Sequence, residues 1–396
     1  MLGIVGLIIL VAVFLFYLLF FSSLIFDPKG SLSPYIITSD SPPINSFRRV
    51  PAVSVLVPAR NEEQNIGNCL QALLEQDYSN LEIIVIDDQS TDKTAEIVKR
   101  FQKKNEAIKL ISGKKLPPGW IGKNHALFQG VQEAGGEYLL FLDADVVLTS
   151  RHCISQIVKY AMEHETDLLT LVPELECKTF WEKVVLPILG FFIINRFTLK
   201  NINNPSSKIT SVVGPFLFFK RQTYEEIGGH EGIKGEIVED LVLAQTIKKK
   251  GYRLSYMLGM ELFSLREYAN FQEIWEGFSK NFFAGMNQNV MMAVACIFLM
   301  LSVLVLPPLL VLLSLGYLLF FGWDKFAILY LILGIIPYFI TIVVRRILKI
   351  YAKLDNTYAF LQPLGALVLI SILINSIIKV SFCKGVSWKG RVYLNG

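Results

Sequence analysis

The chain has little charge, few histidines and no ordered cysteine pattern. Asp, Glu, Lys and Arg make up 18% of its 396 residues, against 53% hydrophobic, a balance too apolar for an ordinary soluble protein. The five cysteines (Cys69, Cys153, Cys177, Cys296 and Cys383) are odd in number and scattered. They lack metal or redox spacing, so free thiols in a reducing compartment are expected. Net charge is only +4, with no basic run, and nucleic acid is not an expected partner. No internal repeat or low-complexity tract is present.

What is present is apolar sequence concentrated at the two ends. Residues 2–26 carry no charged side chain and are long enough to cross a bilayer. Without a basic n-region or cleavage site they read as a retained anchor, residues 1–26. Pro28, Pro34, Pro42 and Pro43 mark residues 27–50 as an irregular linker. Within a C-terminal membrane region, 286–384, the apolar stretches are 290–321, 326–344 and 358–378, followed by a tail, 385–396. Pro307-Pro308 makes the first of these either a kinked span or a re-entrant pair.

Basic residues beside the spans set an orientation. Lys29, Arg48 and Arg49 place residues 27–289 in the cytoplasm, and Arg345, Arg346, Lys349 and Lys353 agree. Lys379, Lys384, Lys389 and Arg391 also favour the inside, whereas four full crossings put the tail outside. Either the Pro-Pro stretch crosses twice or one apolar segment only dips into the bilayer. The expectation is a multi-pass cell-membrane protein whose basic flanks meet anionic headgroups.

Between the ends, residues 51–285 read as one α/β domain. Strands are expected at 53–57, 82–86, 108–111, 138–143 and 167–172, alternating with helices at 61–76, 92–104 and 123–134. This alternation implies a parallel sheet covered on both faces, with the polar loops after the strands along one edge. That edge collects Arg60, Asn61, Glu62, Asp87, Asp88, Asp143 and Asp145. Asp143 and Asp145 end an apolar strand and, two residues apart, point to one side. Two such carboxylates suit Mg²⁺ or Mn²⁺ holding a diphosphate. A lone Asp-x-Asp or Asp-Asp is commonly a solvated turn or helix cap; clusters converging on one edge favour a ligand site.

Further on, 184–199 is apolar but broken by Pro187 and Arg196, which leaves an interfacial helix or a buried core helix. A strand is expected over 211–219, and Glu239-Asp240 opens a helix that ends before Gly251. Residues 264–289 suggest a helix on the bilayer surface with Trp275 and Phe278 at headgroup depth. Lys280 on it is either a phosphate clamp or a headgroup contact.

Pro58-Ala-Arg-Asn-Glu-Glu63, Asp87-Asp-Gln-Ser-Thr-Asp92, Gly122-Lys123, Asp143-Ala-Asp145 and Glu239-Asp240 occur in the order of family 2 glycosyltransferases, which residues 51–285 resemble. Residues 275–281 and 387–393 with the terminal membrane segments are most similar to carotenoid- and hopanoid-associated enzymes, and more distantly to ceramide glucosyltransferases. The resemblance implies a GT-A fold, a nucleotide-sugar donor (a UDP-sugar), a divalent metal and inversion. It implies a donor site of Pro58, Ala59, Arg60, Asn61, Glu62, Asp87, Asp88, Lys123, Asp143, Asp145 and Glu239, with the metal on Asp143 and Asp145. Asp240 is then the candidate general base, placed to take an acceptor hydroxyl proton. Processive members carry Gln-x-x-Arg-Trp after the Glu-Asp pair; the arginine is missing from Gln272-Glu-Ile-Trp275. One sugar delivered to a membrane lipid is therefore expected. The rivals are transfer to polyprenyl phosphate and a non-catalytic nucleotide-sugar-binding scaffold. A transporter is disfavoured, since the spans are few and lack intramembrane charge pairs.

Overall fold

A computed structural model describes residues 11–12, 14–15, 19, 21–22, 24–39, 49–194, 196–382, 386–388 and 391–393. Most of the expected anchor, part of the linker and part of the tail lie outside these residues.

The first half follows its hydrophobic pattern. Strands β1 (Val53–Ala59), β2 (Leu81–Asp87), β3 (Ile108–Ser112) and β4 (Tyr138–Leu142) alternate with α1 (Ile66–Leu74), α2 (Thr94–Gln102) and α3 (Gly122–Glu133). β1 runs parallel to both β2 and β4, and β2 to β3. Their apolar runs are buried on both faces, as expected for strands covered by helices.

The complete sheet has seven strands in the order β3-β2-β1-β4-β8-β6-β9, with β6 (Leu168–Val172), β8 (Phe216–Lys220) and β9 (Leu254–Leu258). It is mixed, because β8 is antiparallel to β4 and β6. The wholly parallel expectation is corrected here. The chain re-enters at the C-terminal edge of β4, where the Asp143 amide donates to the Pro215 carbonyl at 3.1 Å, and from there a strand runs backwards. The strand expected from residue 211 begins only at Phe216; residues 211–213 form a loop held by Thr170 Oγ1, which accepts from the Val213 amide at 2.9 Å.

A second small sheet joins β5 (Val146–Leu148), β10 (Phe263–Leu265) and β7 (Glu174–Leu175). Helix α4 (Cys153–Glu163) covers the outer face. The 184–199 stretch is two helices, α5 (Phe180–Ile193) and α6 (Arg196–Asn203). α5 starts in a capping box, Thr179 with Glu182, and fully buried Glu182 pairs with Arg266 at 2.9 Å. Val184, Val185, Ile188 and Phe191 are buried, so α5 is an internal layer; Phe21 packs on Phe191 with ring centroids 4.9 Å apart and the rings tilted by 53°.

Helix α7 (Glu239–Lys249) closes the site from one side and α8 (Phe271–Gly285) from the other. Phe278 faces inward, between Tyr268 at 5.3 Å and Phe282 at 5.1 Å. That corrects its placement at headgroup depth: aromatic packing across the 268–271 turn outweighs exposure.

Among the described residues, three helices are long and apolar enough to cross a membrane. α9 (Val290–Phe321) is one continuous helix with a π turn, Leu301–Val305, ahead of Pro307-Pro308. The wider turn accommodates the amides the two prolines lack, so the stretch is not a re-entrant pair. α10 (Lys325–Ala352) returns beside α9 and ends at Lys353, whose Nζ meets Glu174 at 2.8 Å. α11 (Gln362–Phe382) packs on α5 and α8.

Candidate active site

The C-terminal ends of β1 and β2 are fastened together. Arg60 Nη1 donates to the Asp88 carbonyl at 2.7 Å, and the Asp88 amide to the Ala59 carbonyl at 2.8 Å. Asn61, in the left-handed region with φ 54°, accepts from the Thr91 amide at 2.8 Å while its own amide reaches Ser90 Oγ at 3.0 Å. Asp87 accepts from the Ser90 amide at 3.1 Å. Asn61 and Asp87 thus shape the loops and do not line the cavity.

The other expected residues meet in that cavity, of about 450 Å³. Pro58, Ala59, Arg60, Glu62 and Asp88 form one wall, and Lys123, Asp143, Asp145, Glu239 and Asp240 the floor. Lys123 Nζ lies 2.8 Å from Asp143 and 3.1 Å from Glu239. Burial alone depresses an ammonium, yet Asp143 and Glu239 carry that of Lys123 above its usual range. It is a fixed cation near the start of α3, where the helix dipole also favours anions.

Asp240 accepts from the Leu241 amide at 2.8 Å, and its Oδ2 lies against Gly214, where a Cβ would collide with it. Burial, then Glu239, raise its carboxyl to about 7, against the opposing pull of Lys123. A carboxylate near neutrality suits proton acceptance.

Asp145 is held well above the usual carboxylate range by burial, and further by Asp143, Glu62 and Glu267. Its Oδ1 is buried without a hydrogen-bond partner. An orphaned carboxylate oxygen among acidic neighbours fits a divalent cation. Among the described residues no three acidic, histidine or cysteine groups converge to hold one alone. That still fits an ion such as Mg²⁺, which takes one or two carboxylates plus phosphate oxygens and waters.

Glu267, Tyr268 and Asn281 also line the cavity and escaped the sequence reading. Glu267 arrives through the β5–β10 pairing, which sets Leu265 opposite Val146; no local motif announces such a contact. Lys280, from α8, lines it too. Burial lowers its ammonium, with Glu239 and Asp240 opposing.

The same cavity has an apolar lining as well. Leu189 and Ile193 from α5, Ile194 at its end, Val212 and Val213 from the loop, and Leu354 after α10 line it. One enclosure therefore joins a charged floor to an apolar wall that ends at a candidate membrane helix.

Comparison with known proteins agrees with this arrangement. Residues 54–228 match the model for glycosyl transferase family 2. The 4,4'-diaponeurosporenoate glycosyltransferase of Staphylococcus aureus (strain USA300) is 28% identical over 243 residues, covering 59% of this chain and 61% of that protein. The chain thus spans about 61% of the length of the curated relatives it matches. The mannosyltransferase PcManGT from Pyrobaculum calidifontis, solved in complex with GDP-Man and Mn²⁺, has a TM-score of 0.52 and 19% identity, covering 95% of this chain and 99% of that one. That likeness shows the fold, a GT-A arrangement with apolar C-terminal helices.

Proposed function

We propose, from the match of residues 54–228 to glycosyl transferase family 2, that the chain moves one sugar from a nucleoside-diphosphate sugar to a membrane lipid, with inversion and a divalent metal. The observation that carries the reading is the single cavity with a charged floor and an apolar wall reaching the end of α10. A nucleotide sugar needs the first; a lipid acceptor needs the second.

In this reading Ala59, Glu62 and Asp88 hold the nucleoside, Asp88 accepting from the base. Lys123 neutralises the diphosphate while remaining tied to Glu239. Asp143 and Asp145 would hold Mg²⁺ or Mn²⁺, which when bound offsets charge on the departing diphosphate as a Lewis acid. Asp240, on the charged floor, shares the cavity with the apolar wall along which an acceptor hydroxyl would enter. It takes the hydroxyl proton as the oxygen attacks the anomeric carbon from the face opposite the leaving group. The apolar wall excludes water, which otherwise competes as acceptor. A UDP-sugar is the donor implied by the sequence resemblance, and an isoprenoid-type lipid hydroxyl or carboxyl is the acceptor class suggested by the diaponeurosporenoate glycosyltransferase relative. Lys29, Arg48, Arg49, Arg345 and Arg346 support a domain facing the cytoplasm.

The test is mass spectrometry of lipid extracts from cells with and without this chain, followed by product sizing in liposomes. The expected product carries a single sugar. A ladder of longer glycans would refute single transfer; loss of a glycosylated polyprenyl phosphate alone would establish the rival acceptor. Donor binding with no glycosylated product in any extract would leave the non-catalytic scaffold.

A further inference from the structure

Helix α8 brings two neighbouring polar side chains, Lys280 and Asn281, to the cavity. The Asn281 Oδ1 is buried and has no hydrogen-bond partner. The adjoining flank of the same turn is bonded to candidate membrane helix α11. Asn375 Nδ2 donates to Ser279 Oγ at 2.8 Å, and the Phe283 amide donates to Ser376 Oγ at 3.0 Å. Ser279 and Ser376 are both buried. Residues 279 and 283 are one helical turn apart, so the two bonds straddle Lys280. A third constraint acts at Gly277, where a Cβ would stand 2.5 Å from Tyr268; Tyr268 therefore lies flush on the helix.

Apolar helix faces slide and rotate at small cost, whereas a buried polar pair fixes register, since breaking it strands a donor. Register is what decides where Lys280 points. We propose that Lys280 is a second cation for the leaving diphosphate, positioned by Asn375 and Ser376 of α11, so that phosphate binding is anchored to a membrane segment. The proposal rests on the nucleoside-diphosphate donor argued above.

The full chain in nanodiscs with Mn²⁺ present provides the test, by calorimetry with UMP against UDP and with GMP against GDP. The unaltered chain binds one diphosphate more tightly than its monophosphate. Lys280→Met weakens the diphosphate by roughly tenfold and leaves the monophosphate within about twofold. Asn375→Ala and Ser376→Ala weaken the diphosphate in the same selective way, Ser376→Thr restores it, and Lys280→Met/Asn375→Ala is no weaker than Lys280→Met alone. Should Asn375→Ala fail to fold, Ser279→Ala removes the same bond from the other side. Equal weakening of mono- and diphosphate, additive effects in the double variant, or an unaffected diphosphate in Lys280→Met would overturn the proposal. Absence of nucleotide binding by the unaltered chain would instead overturn the donor reading.

Discussion

Asp240 and Asp145 are both buried carboxylates, yet the proposed function gives them different work. Asp240→Asn keeps size and local hydrogen bonding but removes the proton acceptor. Turnover is expected to fall by roughly 10²-fold or more, with donor affinity within a few-fold. Asp145→Asn is expected to weaken donor and metal binding instead. The sign of the pH effect follows from the raised Asp240 carboxyl, at about 7: the base works only when ionised, so activity rises through neutrality and levels off above it. In Asp240→Asn that limb should vanish. Near-normal turnover in a folded Asp240→Asn protein would point to an acceptor already ionised, a lipid carboxylate or a phosphate, in place of a hydroxyl. Asp145 was legible in the sequence because it follows a strand, where the backbone turns toward the edge; Asp240 was legible through the Glu239-Asp240 pair that opens a helix. Glu267 was not, since only the pairing of Phe263–Leu265 with Val146–Leu148 brings it there. Asn61 and Asp87 were legible as site-edge residues, but the left-handed backbone of Asn61 and the loop bonds of both give them a supporting place.

At the level of elements, the first half of the domain could be read directly, for its strands and helices are neighbours in sequence and in space. The second half could not. The direction of β8 depends on a loop pinned by Asp143 and Thr170, and the burial of α5 depends on helices from both chain ends. An apolar run reports that a surface is covered without saying by what. The α5 cap illustrates how much rests on one contact: Glu182, fully buried, answers both the Thr179 amide and Arg266. Glu182→Ala should cost about 3–5 kcal/mol, read as a lower midpoint in thermal or denaturant unfolding. Glu176→Ala, at a more exposed pair with Lys178, should cost under about 1 kcal/mol.

For the whole molecule, the proposed reaction brings its two classes of substrate from different phases. Calorimetry with and without chelator is expected to show donor binding only when a divalent cation is present, because Asp145 Oδ1 has no partner within the protein. Equal affinity in both conditions would remove the metal from the account. The apolar wall that takes in Leu354 has a kinetic consequence. An acceptor that enters along it is counted per unit of bilayer area and never per litre. Adding more vesicles of the same composition should then leave the turnover of each embedded enzyme unchanged, whereas thinning the acceptor with inert lipid at constant total amount should lower it. The enzyme would obey surface dilution for one substrate and ordinary solution kinetics for the other.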